Sequence, residues 1–137
     1  MSRILGLDHG DKRIGLAITD PLNIIAKPLR TVNVTNENVF NVLKELIKEY
    51  SINKIVVGLP LTLKNTHSIQ TEKVLVFIEK LKEEITIDIE TYDERFTSDI
   101  AKESLIAQGI KTGHNKSEID KTAAAIFLQN YIDEKSI

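Results

Sequence analysis

Three carboxylates, separated by most of the chain, are the residues best suited to chemistry. Asp8 closes the run Ile4-Leu5-Gly6-Leu7-Asp8, Glu94 follows the run from Ile85 to Tyr92, and Asp120 heads an apolar C-terminal segment. Two acids at strand ends and one on the inward face of a helix can converge on one point. Carboxylates gathered that closely repel, so a fold that collects them neutralises them with a cation. Oxygen donors, with no Cys in the chain and no paired His, suit Mg²⁺ or Mn²⁺ rather than zinc. Two such ions about 3.5–4 Å apart activate a water and stabilise the leaving oxygen in phosphodiester hydrolysis.

Each acid also has a duller use. Asp8 can open the His9-Gly10 turn through an Asx bond. Glu94 sits in Tyr92-Asp93-Glu94-Arg95-Phe96, where Arg95 can pair an acid at little gain on an exposed loop. Asp93 and Glu94 are adjacent and point to different sides, so only one of them joins Asp8. Ser117-Glu118-Ile119-Asp120 has the spacing of a capping box. Against that, Asp120 shares a helical stripe with Ala124, Phe127 and Tyr131, and a charge on a buried face is costly unless paired or bound to metal.

Lys12 and Arg13 lie beside the first acid, and Lys111, Lys116 and Lys121 flank the start of the last helix. These groups are either solvated surface or contacts to a phosphate backbone. His9, His67 and His114 share no metal-ligand spacing and are expected on the surface or in loops.

The elements that must hold the acids follow from periodicity. Ile4 to Leu7 reads as a buried strand ending at Asp8, and Arg13 to Thr19 alternates as a second strand in a hairpin with it. Ile24 to Val32 is a third strand, at an edge because of Pro28. Thr35 or Asn36 caps a helix carrying Val39, Phe40, Leu43, Leu46, Ile47 and Tyr50. Lys54 to Gly58 is a central strand covered on both faces. After a polar loop from Thr62 to His67 comes a helix through Ile69, Val74, Phe77, Ile78 and Leu81, then a strand from Ile85 to Tyr92. Thr97 or Ser98 caps a helix ending at Gly109, and Ser117 starts the last one. The order β-β-β-α-β-α-β-α-α predicts an α/β fold: a five-stranded mixed sheet with helices on its faces.

A length of 137 residues predicts one domain spanning 1–137, and 42% apolar with 28% charged residues is a composition that can bury one core. Met1-Ser2-Arg3 runs straight into the first strand, and no apolar run approaches the roughly 18 residues a membrane span needs. A cytoplasmic protein without membrane contact is the expectation. The net charge of −2 supplies no global basic field, so attraction to nucleic acid must be local.

Four segments resemble one family. Asp8-His9-Gly10-Asp11-Lys12-Arg13-Ile14-Gly15, Gly58-Leu59-Pro60-Leu61, Asp93-Glu94-Arg95-Phe96-Thr97-Ser98 and Asp120-Lys121-Thr122-Ala123-Ala124-Ala125-Ile126-Phe127-Leu128-Gln129 are similar, in order, to the motifs of the YqgF/RuvX family of ribonuclease H-like nucleases. The loop Thr62 to His67 departs from the family in lacking glycine. The resemblance implies a ribonuclease H-like fold and hydrolase activity on nucleic acid, with pre-16S rRNA in ribosome biogenesis as substrate and Holliday junction DNA as the alternative. It makes Asp8, Glu94 and Asp120 the catalytic and metal-binding trio. Lys12, Arg13, Arg95, Lys116 and Lys121 are the basic groups placed to meet structured RNA or branched DNA, and ribosomal precursor particles are the implied partner.

Two other classes compete. The Asp8-x-Gly10…Gly15-x-Ala17 hairpin also resembles the first phosphate loop of actin and sugar-kinase folds, but those need two domains to enclose ATP and leave Glu94 and Asp120 unexplained. A non-catalytic ribosome-associated binding protein is the other. Failure of ATP to raise the melting temperature removes the first, and metal-dependent cleavage, lost in Asp8→Asn, removes the second.

Overall fold

The computed structural model of the chain describes residues 2–10, 12–59, 69–93 and 116–135, and in the last of these segments the side chains from 121 onward. Its strands are β1 (Arg3–His9), β2 (Arg13–Thr19), β3 (Ala26–Asn33), β4 (Ile52–Leu59) and β5 (Asp88–Asp93). The described helices are α1 (Val39–Tyr50), α2 (Ile69–Glu84) and α3 (Lys116–Lys135). The loop Thr62–His67 and the helix expected from Thr97 or Ser98 to Gly109 lie outside the described residues.

The strands form one mixed sheet in the order β3-β2-β1-β4-β5. β1 is antiparallel to β2 and parallel to β4, and β4 is parallel to β5. The α/β architecture and the five-stranded mixed sheet are as expected, with β1 at the centre and Pro28 on the edge strand β3. Gly10 closes the β1–β2 hairpin, its N–H donating to the Arg13 carbonyl at 2.9 Å. A Cβ on Gly10 would lie 2.6 Å from that oxygen, so the turn requires glycine.

Alternation sorts the side chains of β1 onto two cores. Leu5 and Leu7 join Ile14, Leu16, Ile55 and Val57 beneath α1 and α2, against Leu43, Val74, Phe77 and Leu81. On the other face Ala17 and Val56 pack against Ala124, Phe127, Leu128 and Tyr131 of α3. The expected inward stripe of the last helix is observed, with Ala124 and Phe127 fully buried and Tyr131 nearly so.

Three of the boundaries that differ from expectation have a local cause. Asn38, not Thr35 or Asn36, caps α1, because its Oδ1 accepts from the N–H groups of Phe40 and Asn41. β3 starts at Ala26 rather than Ile24, since Asp20 Oδ1 accepts from the N–H groups of Ile24 and Ile25 and holds them in the turn. β5 starts at Asp88 rather than Ile85, whose N–H donates to the Leu81 carbonyl and so ends α2.

Candidate active site

The parallel arrangement of β1, β4 and β5 puts their carboxyl ends at one edge of the sheet, the end where open α/β sheets place ligands. Asp8, Leu59 and Asp93 all lie there. Asp8 is half-buried and shares the α3 face with Ile4 and Gly6. Across the hairpin it pairs with Gly15, and the β1–β4 register, with Leu7 against Val57, brings Gly58 level with it on the other side. Both strand neighbours of Asp8 are thus glycines, which put no side chain beside the carboxylate.

One row further down, Ala17, Gly6 and Val56 lie side by side beneath α3. A Cβ on Gly6 would come within 3.1 Å of Leu128 Cβ and 3.4 Å of the Ala124 carbonyl oxygen, so the glycine lets the helix approach closely. At the other end of β1, Ile4 and Lys54 border a cavity shared with Tyr131, Ile132 and Lys135. α3 therefore runs against the direction of β1, and its first turn points toward the Asp8 end.

Polar contacts fix that pose. Gln129 Oε1 accepts from the Ala26 N–H at 2.8 Å, and its Nε2 donates to the Ile24 carbonyl at 3.0 Å, tying α3 to the start of β3. Lys54 Nζ donates to the Tyr131 hydroxyl at 3.2 Å, which helps hold the Lys54 pKa above its ordinary value. Tyr92 packs against the Phe127 and Tyr131 rings and donates to Glu134 at 2.8 Å. Burial, reinforced by that carboxylate, pushes the Tyr92 phenol up to about 12. Gln129 acts as a positioning residue that no periodicity marked. Its sequence signals were an amide beside a buried helical stripe and its place as the last residue of the segment Asp120 to Gln129.

Of the expected acids, only the side chain of Asp8 is described. The backbone of Asp120 lies in the first turns of α3, four residues before Ala124, and Glu94 follows directly on Asp93, outside the described residues. Among the described residues no three acids or histidines gather into a metal-binding group. Lys12 is exposed at the hairpin, Arg13 opens β2, and Lys121 is half-buried on α3. Arg95 lies outside the described residues, as does the side chain of Lys116. His9 departs from its expected surface position: it ends β1 half-buried, its ring 4.7 Å from that of Phe77.

The family model described as RuvX, Holliday junction resolvase, matches residues 2–134. A protein of Desulforamulus reducens named "Putative pre-16S rRNA nuclease" is 46% identical over 96% of this chain and 96% of its own length. Proteins of the same name from Thermoanaerobacter pseudethanolicus and Clostridioides difficile are 43% and 42% identical, each over 97% of this chain. Among solved structures, Thermus thermophilus RuvC in complex with a Holliday junction substrate superposes with a TM-score of 0.59 at 15% identity, covering 99% of this chain and 96% of that one. The yeast mitochondrial Holliday junction resolvase gives 0.57 at 12% identity, over 98% and 79%. At such identities the likeness shows the fold, which is the ribonuclease H-like one.

Proposed function

The chain belongs to the RuvX family, and from that membership we propose that it is a metal-dependent endonuclease acting on the precursor of 16S rRNA. Asp8, Glu94 and Asp120 are its catalytic carboxylates. What carries the reading is a match of distances. Ala124 lies against Gly6. Four residues back along α3 is about 6 Å, and two residues forward along β1 is about 7 Å. Asp120 and Asp8 thus advance together toward the same end of the sheet, and Glu94 continues from the carboxyl end of β5.

The donor set fits a hard divalent cation: carboxylate oxygens, in a chain without cysteine. Mg²⁺ or Mn²⁺ held by the three acids would lower the pKa of a bound water and stabilise charge on the phosphate oxygens. The chain's own part is to hold Asp8 on a central strand and Asp120 on a closely docked helix, so that mutual repulsion cannot spread them. Lys12, Arg13, Arg95, Lys116 and Lys121 would meet the flanking phosphates, which explains how a protein of net charge −2 engages RNA. No described helix is long and apolar enough to cross a membrane. Processing of rRNA precursors, whether free or in ribosomal particles, would be work for the cytoplasm.

A second reading, cleavage of branched DNA, is favoured by the description of the matching family. Purified protein is incubated with precursor 16S rRNA and with four-way DNA junctions, in Mg²⁺, Mn²⁺ or EDTA, and product ends are mapped. Metal-dependent cuts in the rRNA precursor support the proposal. Cuts confined to junctions transfer the activity to DNA, and cleavage of neither substrate refutes both.

A further inference from the structure

On the opposite face of the sheet from α3, and at the same end as Asp8, a cavity of about 260 Å³ opens between the β1–β2 hairpin, α1 and α2. Consecutive strand residues point to opposite faces, so Asp8 turns toward α3 while His9 turns into this cavity. The His9 ring lies 4.7 Å from Phe77, which in turn stacks on Phe40 at 5.6 Å with the planes 15° apart. Val76, 56% exposed, stands at the mouth. Lys73 and Lys80, both exposed, complete the rim. They lie seven residues apart on α2, about 10 Å, on the same stripe as Phe77.

We propose that this cavity is a nucleotide subsite, which receives one unstacked base from a single-stranded stretch of the nucleic acid bound at Asp8. Its volume falls below the roughly 300–1,000 Å³ of sites for drug-sized ligands, so it suits a single base rather than a whole dinucleotide cofactor. Aromatic and aliphatic walls accept the base, and the lysines at the rim complement the phosphates on either side of it. A stacking platform within a basic rim is how single strands are held without reading their sequence. Because only the thickness of one strand separates His9 from Asp8, the bound base belongs to a nucleotide close to the phosphate being cut. The subsite rests on the nuclease reading for its substrate.

The test uses single-stranded RNA oligonucleotides carrying 2-aminopurine at each position in turn, bound to the full chain in EDTA so that no cleavage is needed. Val76→Glu puts a carboxylate in the mouth at an exposed helical position, and Lys73→Ala/Lys80→Ala, also exposed, supplies a second variant should the first alter the melting temperature. The wild type is expected to change the fluorescence at one or two adjacent positions. Val76→Glu should abolish that change and weaken binding about tenfold, and the double lysine variant should weaken binding with a shallower salt dependence. Placing the responsive position in a duplex should remove its signal. Fluorescence and affinity equal to wild type in both variants would overturn the subsite and leave the cavity a packing gap, even with cleavage intact. Loss of signal in Val76→Glu, from a protein that cuts neither RNA nor DNA, would keep the subsite and remove the nuclease.

Discussion

Beneath α1 and α2 the sheet presents Leu5, Leu7, Ile14, Leu16, Ile55 and Val57, all fully buried. Beneath α3 the corresponding rows present Ala17, Gly6 and Val56, then Gly15 and Asp8. Large aliphatic side chains bury the most apolar area, each worth about 1.5–3 kcal/mol, and adapt their rotamers to one another. A row of small residues buries less and instead fixes how closely a helix can lie. Stability is therefore concentrated on one face and precision on the other. The face with the weaker core is the one on which the proposed site would bring Asp120 to Asp8, and it adds specific polar anchors, Gln129 to β3 and Tyr131 to Lys54.

The largest expected effect breaks function and spares the fold. Asp8→Asn should lower cleavage of precursor rRNA about a thousandfold, the rate equivalent of several kcal/mol of lost charge stabilisation. Its melting temperature without metal should equal or exceed that of wild type, because one of the three charges proposed to crowd there is gone. Activity near wild type would remove Asp8 from the site.

On the opposite face Leu7→Ala should cost about 2–5 kcal/mol in denaturant unfolding. Residual activity per folded molecule should stay near wild type, since Leu7 faces away from α3. A specific activity that falls along with stability would show that the two faces are not separable.

Gly6→Val sharpens the contrast from the precise side. With the Cβ position already 3.1 Å from Leu128, the added methyls must displace α3, at about 1–3 kcal/mol. Cleavage should fall by more than this stability loss implies, because the displaced helix carries Asp120. Equal losses would mean that helix position does not matter to the chemistry.

A gentler probe is alkaline pH. The Tyr92 phenol is raised from 10.0 to about 12 in the fold, so its contribution to stability is complete below pH 10 and is lost as pH rises through about 12. Tyr92→Phe should flatten the decline of stability across that window in unfolding titrations. A decline as steep as that of wild type would place the sensitive group elsewhere.

Sequence alone determined the parts governed by local rules. Alternation in Arg13–Thr19 marked the hairpin, Pro28 marked the edge, and the period of two placed Asp8 on the same face as Gly6. The 3.6-residue stripe of Ala124, Phe127 and Tyr131 picked out the buried side of the last helix before any partner was known. What the tertiary structure alone decided were contacts between residues far apart in the chain. Ile85 has the hydrophobicity of a strand residue, yet its N–H found the Leu81 carbonyl and its side chain the core, so β5 began three residues later. His9 looked like a turn residue until β1 and α2 packed and set it on Phe77, and Gln129 became an anchor only by reaching Ala26, 103 positions away. Periodicity reports which side of an element is buried, because burial repeats with the geometry of the backbone. It does not report what lies opposite, because that depends on how the elements close on one another in space.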